Sequence, residues 1–230
     1  MAIIKGTARQ TTSVTRVAEG VEQYLRMLRD GALVLVDARD AAVQEGRGFM
    51  ANVGTLSTPI AGGDTGLVVD LDKPSFVLSI PTGVSIRPFR TEVTVGLPVG
   101  AADDDEIDIL IAVDQDKAWD ATGTATAVTI YNMNTLNSRA SSCTARRTFT
   151  ATTTDPVLDL ELAHYTKVFE LYSTAGTAGN AWTTSKLLYE PVAPPIINGP
   201  AMLIVYWGGT VATQAFMCAQ WLEFPTVSFS

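Results

Sequence analysis

Residues 100–120, GAADDDEIDILIAVDQDKAWD, hold the densest carboxylates of the chain. Asp103, Asp104, Asp105, Glu106 and Asp108 crowd one end, and Asp114, Asp116 and Asp120 the other. Acids at such density can hold a hard cation or act as a general acid–base pair. A calcium loop of the EF-hand kind needs oxygen ligands at alternate positions, a central glycine and a closing glutamate. The run 103–106 is contiguous and no glycine follows in place. Asp114, Asp116 and Asp120 alternate better, but Gly123 comes late. The competing reading is a strand. Ile107, Ile109, Ile111 and Val113 fall on one face, Asp108, Leu110, Ala112 and Asp114 on the other, and the flanking acids belong to solvated loops. A calcium ion bridging subunits through those loop acids is the metal reading that survives.

The remaining chemical inventory is thin. The single histidine, His164, would have to serve any Ser–His–Asp or Cys–His pair. It reads instead as an ordinary loop or interface hydrogen-bonding residue. No nucleophile elbow, P-loop or dinucleotide fingerprint follows a predicted strand. Cys143 and Cys218 are too few for a disulfide framework or a zinc cluster; they read as buried free thiols, with a bridge between them the alternative. Paired carboxylates and four tryptophans would suit a glycosidase. Yet Trp207 and Trp221 lie within strongly apolar segments, where a large ring packs a core or interface. The expectation is a protein without catalytic residues, metal or cofactor.

Composition points the same way. Only 17% of the 230 residues are charged and 47% are hydrophobic, which suits a β-protein or a subunit that hides surface against neighbours. A net charge of −8 disfavours nucleic acid as the main partner. The exception is the segment from Met1 to Arg16, where Lys5, Arg9 and Arg16 stand without an acid. No apolar run is long enough to span a bilayer, and Ala2-Ile3-Ile4 is too short for a signal-peptide core, so the expectation is a soluble protein.

Along the chain, residues 1–15 read as an extended arm. Val17, Val21, Tyr24, Leu25 and Leu28 then recur at helical spacing, Thr15 can cap them, and Gly31 stops the pattern. Beyond it the period becomes two. Strands are expected at ALVLVDA (32–38), GLVVDL (66–71), SFVLSI (75–80) and VSIRPFRTEVTVGL (84–97), with Phe89, Val93 and Val95 on one face and Pro88 demanding an edge or a bulge. Further candidates are TATAVTIYN (124–132), RRTFTAT (146–152), YTKVFELYS (165–173), SKLLYEP (185–191), AMLIVYWG (201–208) and TQAFMCAQWLEF (213–224). The last two flank a short small-residue loop suited to an antiparallel hairpin. About ten strands without alternating helices make one all-β antiparallel sandwich. The arm and helix occupy 1–31 and the sandwich 32–230.

The segment PVAPPIINGPAMLIVYWGGTVATQAFMCAQWLEFP resembles the closing hairpin of jelly-roll proteins from virus particles. The segments NVGTLSTPIAG, DLDKPSFVLSIPTGVSIRPFRTEVTV and DDDEIDILIAVDQ are similar in style to capsid-type proteins of bacteriophages. The likeness spans roughly residues 50–225 and is one of pattern, with no diagnostic motif. It implies a jelly roll of two four-stranded sheets and a structural protein of the virion, assembled in the host cytoplasm. The expected role is a capsid subunit that self-assembles as a homo-oligomer beside other virion proteins, touching nucleic acid at most through the arm. The alternative is a head-decoration, spike or tail protein whose sandwich binds glycan. Interface candidates are Lys5, Arg9 and Arg16 of the arm, and Trp119 and Trp182 of the loops.

Overall fold

The computed structural model describes residues 6–7, 25–26, 37–62, 69–96, 105–115, 125–149, 156–169, 184–209 and 213–226. Its elements in chain order are β1 (Gly6–Thr7), β2 (Leu25–Arg26), α1 (Ala38–Gln44), β3 (Gly48–Val53), β4 (Ile60–Ala61), β5 (Phe76–Ile80), β6 (Val84–Gly96) and β7 (Asp105–Asp114). There follow β8 (Thr126–Val128), β9 (Ile130–Asn132), β10 (Thr144–Arg147), β11 (Leu160–Phe169), β12 (Thr184–Tyr189), β13 (Ile197–Asn198), β14 (Ala201–Gly209) and β15 (Gln214–Pro225).

Eight of these strands pair as a long hairpin rolled on itself. β3 pairs with β15, β5 with β14, β6 with β12, and β7 with β11, all antiparallel. First meets last, second meets seventh, third meets sixth and fourth meets fifth. Two further pairings, β15 with β6 and β14 with β7, join these couples into sheets. This is the jelly-roll order. The segment between β7 and β11 widens both sheets at the same side. Its β9 pairs with β3, while β10 and β8 extend the other sheet beyond β5. The sheets read β12-β6-β15-β3-β9 and β11-β7-β14-β5-β10-β8.

Period-two alternation builds the core between them. Phe76, Leu78 and Ile80 of β5, Ile107, Ile109 and Ile111 of β7, and Trp221 of β15 all point inward and are buried. The opposite faces do not simply meet water. Val77, Met202, Ile204 and Tyr206 form a second apolar layer on the outside of the six-stranded sheet, covered by Val69, Leu71, Phe149 and Leu158. β14 is therefore buried along its whole length, which explains its unbroken apolar run. A third cluster, Phe89, Leu222 and Phe224, lies under Ala42 of α1 on the outside of the other sheet.

Several expectations change. The described helix is α1, begun by Asp37, whose side chain accepts from the Arg39 amide at 2.8 Å. It takes Ala38 out of the strand expected at 32–38. Within the span expected to be helical, Leu25–Arg26 is extended and pairs in parallel with Gly6–Thr7; the rest of that span lies outside the described residues. Val69–Leu71 is irregular chain laid over the second apolar layer rather than a strand. β14 and β15 belong to different sheets, so their loop crosses the sandwich instead of closing a hairpin. Phe89 stands apart from Val93 and Val95. The register against β15 steps from Gln220↔Arg90 to Trp221↔Pro88, and this bulge turns Phe89 outward beneath the Arg39 guanidinium, 5.4 Å from its ring centre.

Replacing inward Ile109 by alanine is expected to cost about 2–5 kcal/mol in chemical denaturation. Leu188→Ala, at a 44% exposed position, is expected to change stability by no more than about 0.5 kcal/mol.

Candidate functional site

The acidic stretch that opens the chemical search becomes β7. Ile107, Ile109, Ile111 and Val113 face the core as their alternation requires. The other face departs from expectation. Asp108 accepts a hydrogen bond from the Thr166 hydroxyl at 2.6 Å. Asp114, on the face away from the core, is fully buried, its Oδ2 accepting from the Val157 amide at 3.0 Å. Chain 156–159, leading into β11, folds over that end of the strand and removes it from water. The neighbouring Asp159 accepts from the Gln115 amide at 2.7 Å. Among the described residues no group of three or more His, Cys, Asp or Glu side chains is placed to hold a metal ion. Asp103, Asp104, Asp116 and Asp120 lie outside the described residues.

His164 sits on β11, exposed, its Nδ1 bonded to Glu161. Cys143 and Cys218 are unbonded to each other. Cys143 belongs to the inner core, while Cys218 lies on the outer side of β15, between Asn52 and Glu92. Burial, reinforced by the charge of Glu223, pushes the Cys143 thiol far up, and burial raises that of Cys218 too. Neither is a ready thiolate at neutral pH. Trp207 and Trp221 are core residues, as their apolar strands require. The Trp207 indole donates to the Ile60 carbonyl at 3.2 Å, and Trp221 packs against Phe49.

The most concentrated polar cluster is one that sequence reasoning missed. Glu223, 1% exposed, ends the inner face of β15. Its carboxylate accepts from the Ser141 hydroxyl, from the Ser142 amide at 3.0 Å and from the Trp221 indole at 3.1 Å. A buried carboxylate persists only with such donors. The segment 141–143 is thereby fastened to the last strand and closes one end of the core. The signal was present in WLEF, an acid between apolar residues, but two of its three partners, Ser141 and Ser142, come from 82 and 81 positions earlier. A second charged cluster lies on the outer face of β6 and β12. Glu92 meets Lys186 and Arg90, each at 2.7 Å, and these two hydrogen bonds, Lys186 first, hold its carboxyl below the ordinary glutamate range.

Lys5, Arg9, Arg16, Trp119 and Trp182, the interface residues nominated by the sequence, lie outside the described residues. Among the described residues no helix is long and apolar enough to cross a membrane. No protein-family model, curated protein or solved structure matches the chain.

Glu223→Leu removes the shared acceptor of three donors, the Trp221 indole buried among them, and is expected to destabilise by about 3 kcal/mol in urea unfolding, with Ser141→Ala costing less. The Glu92 cluster makes stability depend on acid. Its folded-state carboxyl titrates below the unfolded one, so its contribution is complete above the ordinary glutamate range and is lost as pH falls through the folded value. Denaturation midpoints of Glu92→Gln should therefore fall less than those of the wild type between neutral and strongly acidic pH.

Proposed function

We propose that this chain is a structural protein of a bacteriophage particle, most simply a capsid subunit whose function is self-association. The observation that carries the reading is the eight-strand jelly-roll order. That architecture is used by capsids, lectins and cupins alike. A cupin builds its centre from several histidines, and this chain has one, exposed on β11 and paired with Glu161. The polar clusters of the described residues fasten strands and loops together, as the donors around Glu223 illustrate. A charged fraction of 17% suits a subunit whose loops and edges bury against neighbours.

The purified chain should form shells or rings visible by negative-stain microscopy, with sizing to match. A dilute monomer that never assembles would sink this reading; binding to a glycan array would then favour a spike or decoration role. Deleting residues 1–15 should impair assembly while leaving the circular dichroism of the sandwich unchanged.

A further inference from the structure

The two edges of the six-stranded sheet carry opposite charge. At one edge lie β8 and β10, within a segment, residues 125–149, that contains Arg139, Arg146 and Arg147 and no acid or lysine. At the other lies β11, beside β7. There Glu106, Asp108, Asp159 and Glu161 outnumber Lys167 of β11, and His164 is already paired to Glu161. The adjoining cation of the second sheet, Lys186 on β12, is engaged by Glu92.

Each charged edge also presents apolar surface at the same end of the sandwich. Leu136, 97% exposed, stands three residues before Arg139. It is held out by a tight turn, in which the Asn137 amide donates to the Asn134 carbonyl and the Leu136 amide to the Asn134 side chain. Asn132 and Asn134 tie this loop back to the carbonyls of Gly46 and Gln44. Across the sheet, Val157 and Leu160 are exposed on either side of Asp159. Both edges therefore combine exposed aliphatic residues with surroundings in which one sign of charge predominates, the usual anatomy of a contact.

We propose that copies of this chain associate side by side through these two edges, the arginine edge of one copy seating on the acidic edge of the next. The inference rests on the assembly reading above and names its contact. Like edges repel and unlike edges attract, so the pairing is directional. A contact between two different patches is heterologous, and it generates a ring or an open row rather than a closed dimer. Since both edges present their aliphatic residues at one end of the strands, successive copies keep that end on the same side.

The test uses sedimentation velocity of the full chain and two variants, Arg139→Glu/Arg146→Glu and Val157→Lys/Glu161→Lys. Circular dichroism and thermal melts check that both stay folded. Wild-type association should weaken with added salt, and each variant should self-associate at least about tenfold more weakly. Each variant keeps one native edge, so an equimolar mixture should regain association that neither has alone. If wild-type chains assemble and both variants assemble equally well, the edge contact is overturned and the assembly reading stands. Loss that mixing does not restore also overturns the contact. A wild type that stays monomeric at every concentration overturns the assembly reading together with the contact.

Discussion

Strand β14 is buried on both faces, and much of the architecture follows from that constraint. Its inward residues Leu203, Val205 and Trp207 need the opposing sheet. Its outward residues Met202, Ile204 and Tyr206 need a cover of their own, which the irregular chain at 69–71, Phe149 and Leu158 supplies. Covering chain brings backbone polar groups toward the sheet, and these must be satisfied. The Ser75 hydroxyl accepts from the Trp207 amide at 3.1 Å, and the Tyr206 hydroxyl donates to the Leu71 carbonyl at 3.2 Å. The approach is close enough that a Cβ at Gly62 would come within 2.0 Å of the Trp207 carbonyl oxygen. Loops that look dispensable in a sandwich are here part of its packing.

Wherever period-two alternation continues unbroken, the sequence predicts the face of each residue. The inward isoleucines of β7 are the clearest case. Alternation fails where the backbone changes phase, and the bulge opposite Gln220 and Trp221 sends Phe89 to the helix side. Loop length is a poorer guide than it looks. A short small-residue connection serves a hairpin or a crossing between sheets equally well, and only the partners of β14 and β15 distinguish them. The helix at Ala38–Gln44 follows directly on β-branched residues, so local propensity hid its start.

Polar clusters were harder to read than the fold. A lone acid such as Glu223 looks like a surface residue until Ser141 and Ser142 arrive from the inserted segment. Arg146 and Arg147 are visible as a basic pair in the chain, yet only strand order places them at the edge opposite β11. The described carboxylates at this side of the sheet are divided among separate tasks. Asp108 bonds a neighbouring strand, Asp114 anchors a covering segment, and Asp159 holds Gln115 at the end of β7.

The position of β15 has a consequence for synthesis. It is the latest of the described strands in the chain, yet it lies at the centre of its sheet, between β6 and β3. A nascent chain emerging from the ribosome therefore holds β3 and β6 apart, with their inner residues uncovered, until β15 arrives between them. Pairing across nearly the whole sequence is entropically slow to close. The inner faces of both sheets thus stay uncovered for most of elongation, and the sandwich closes in one late step.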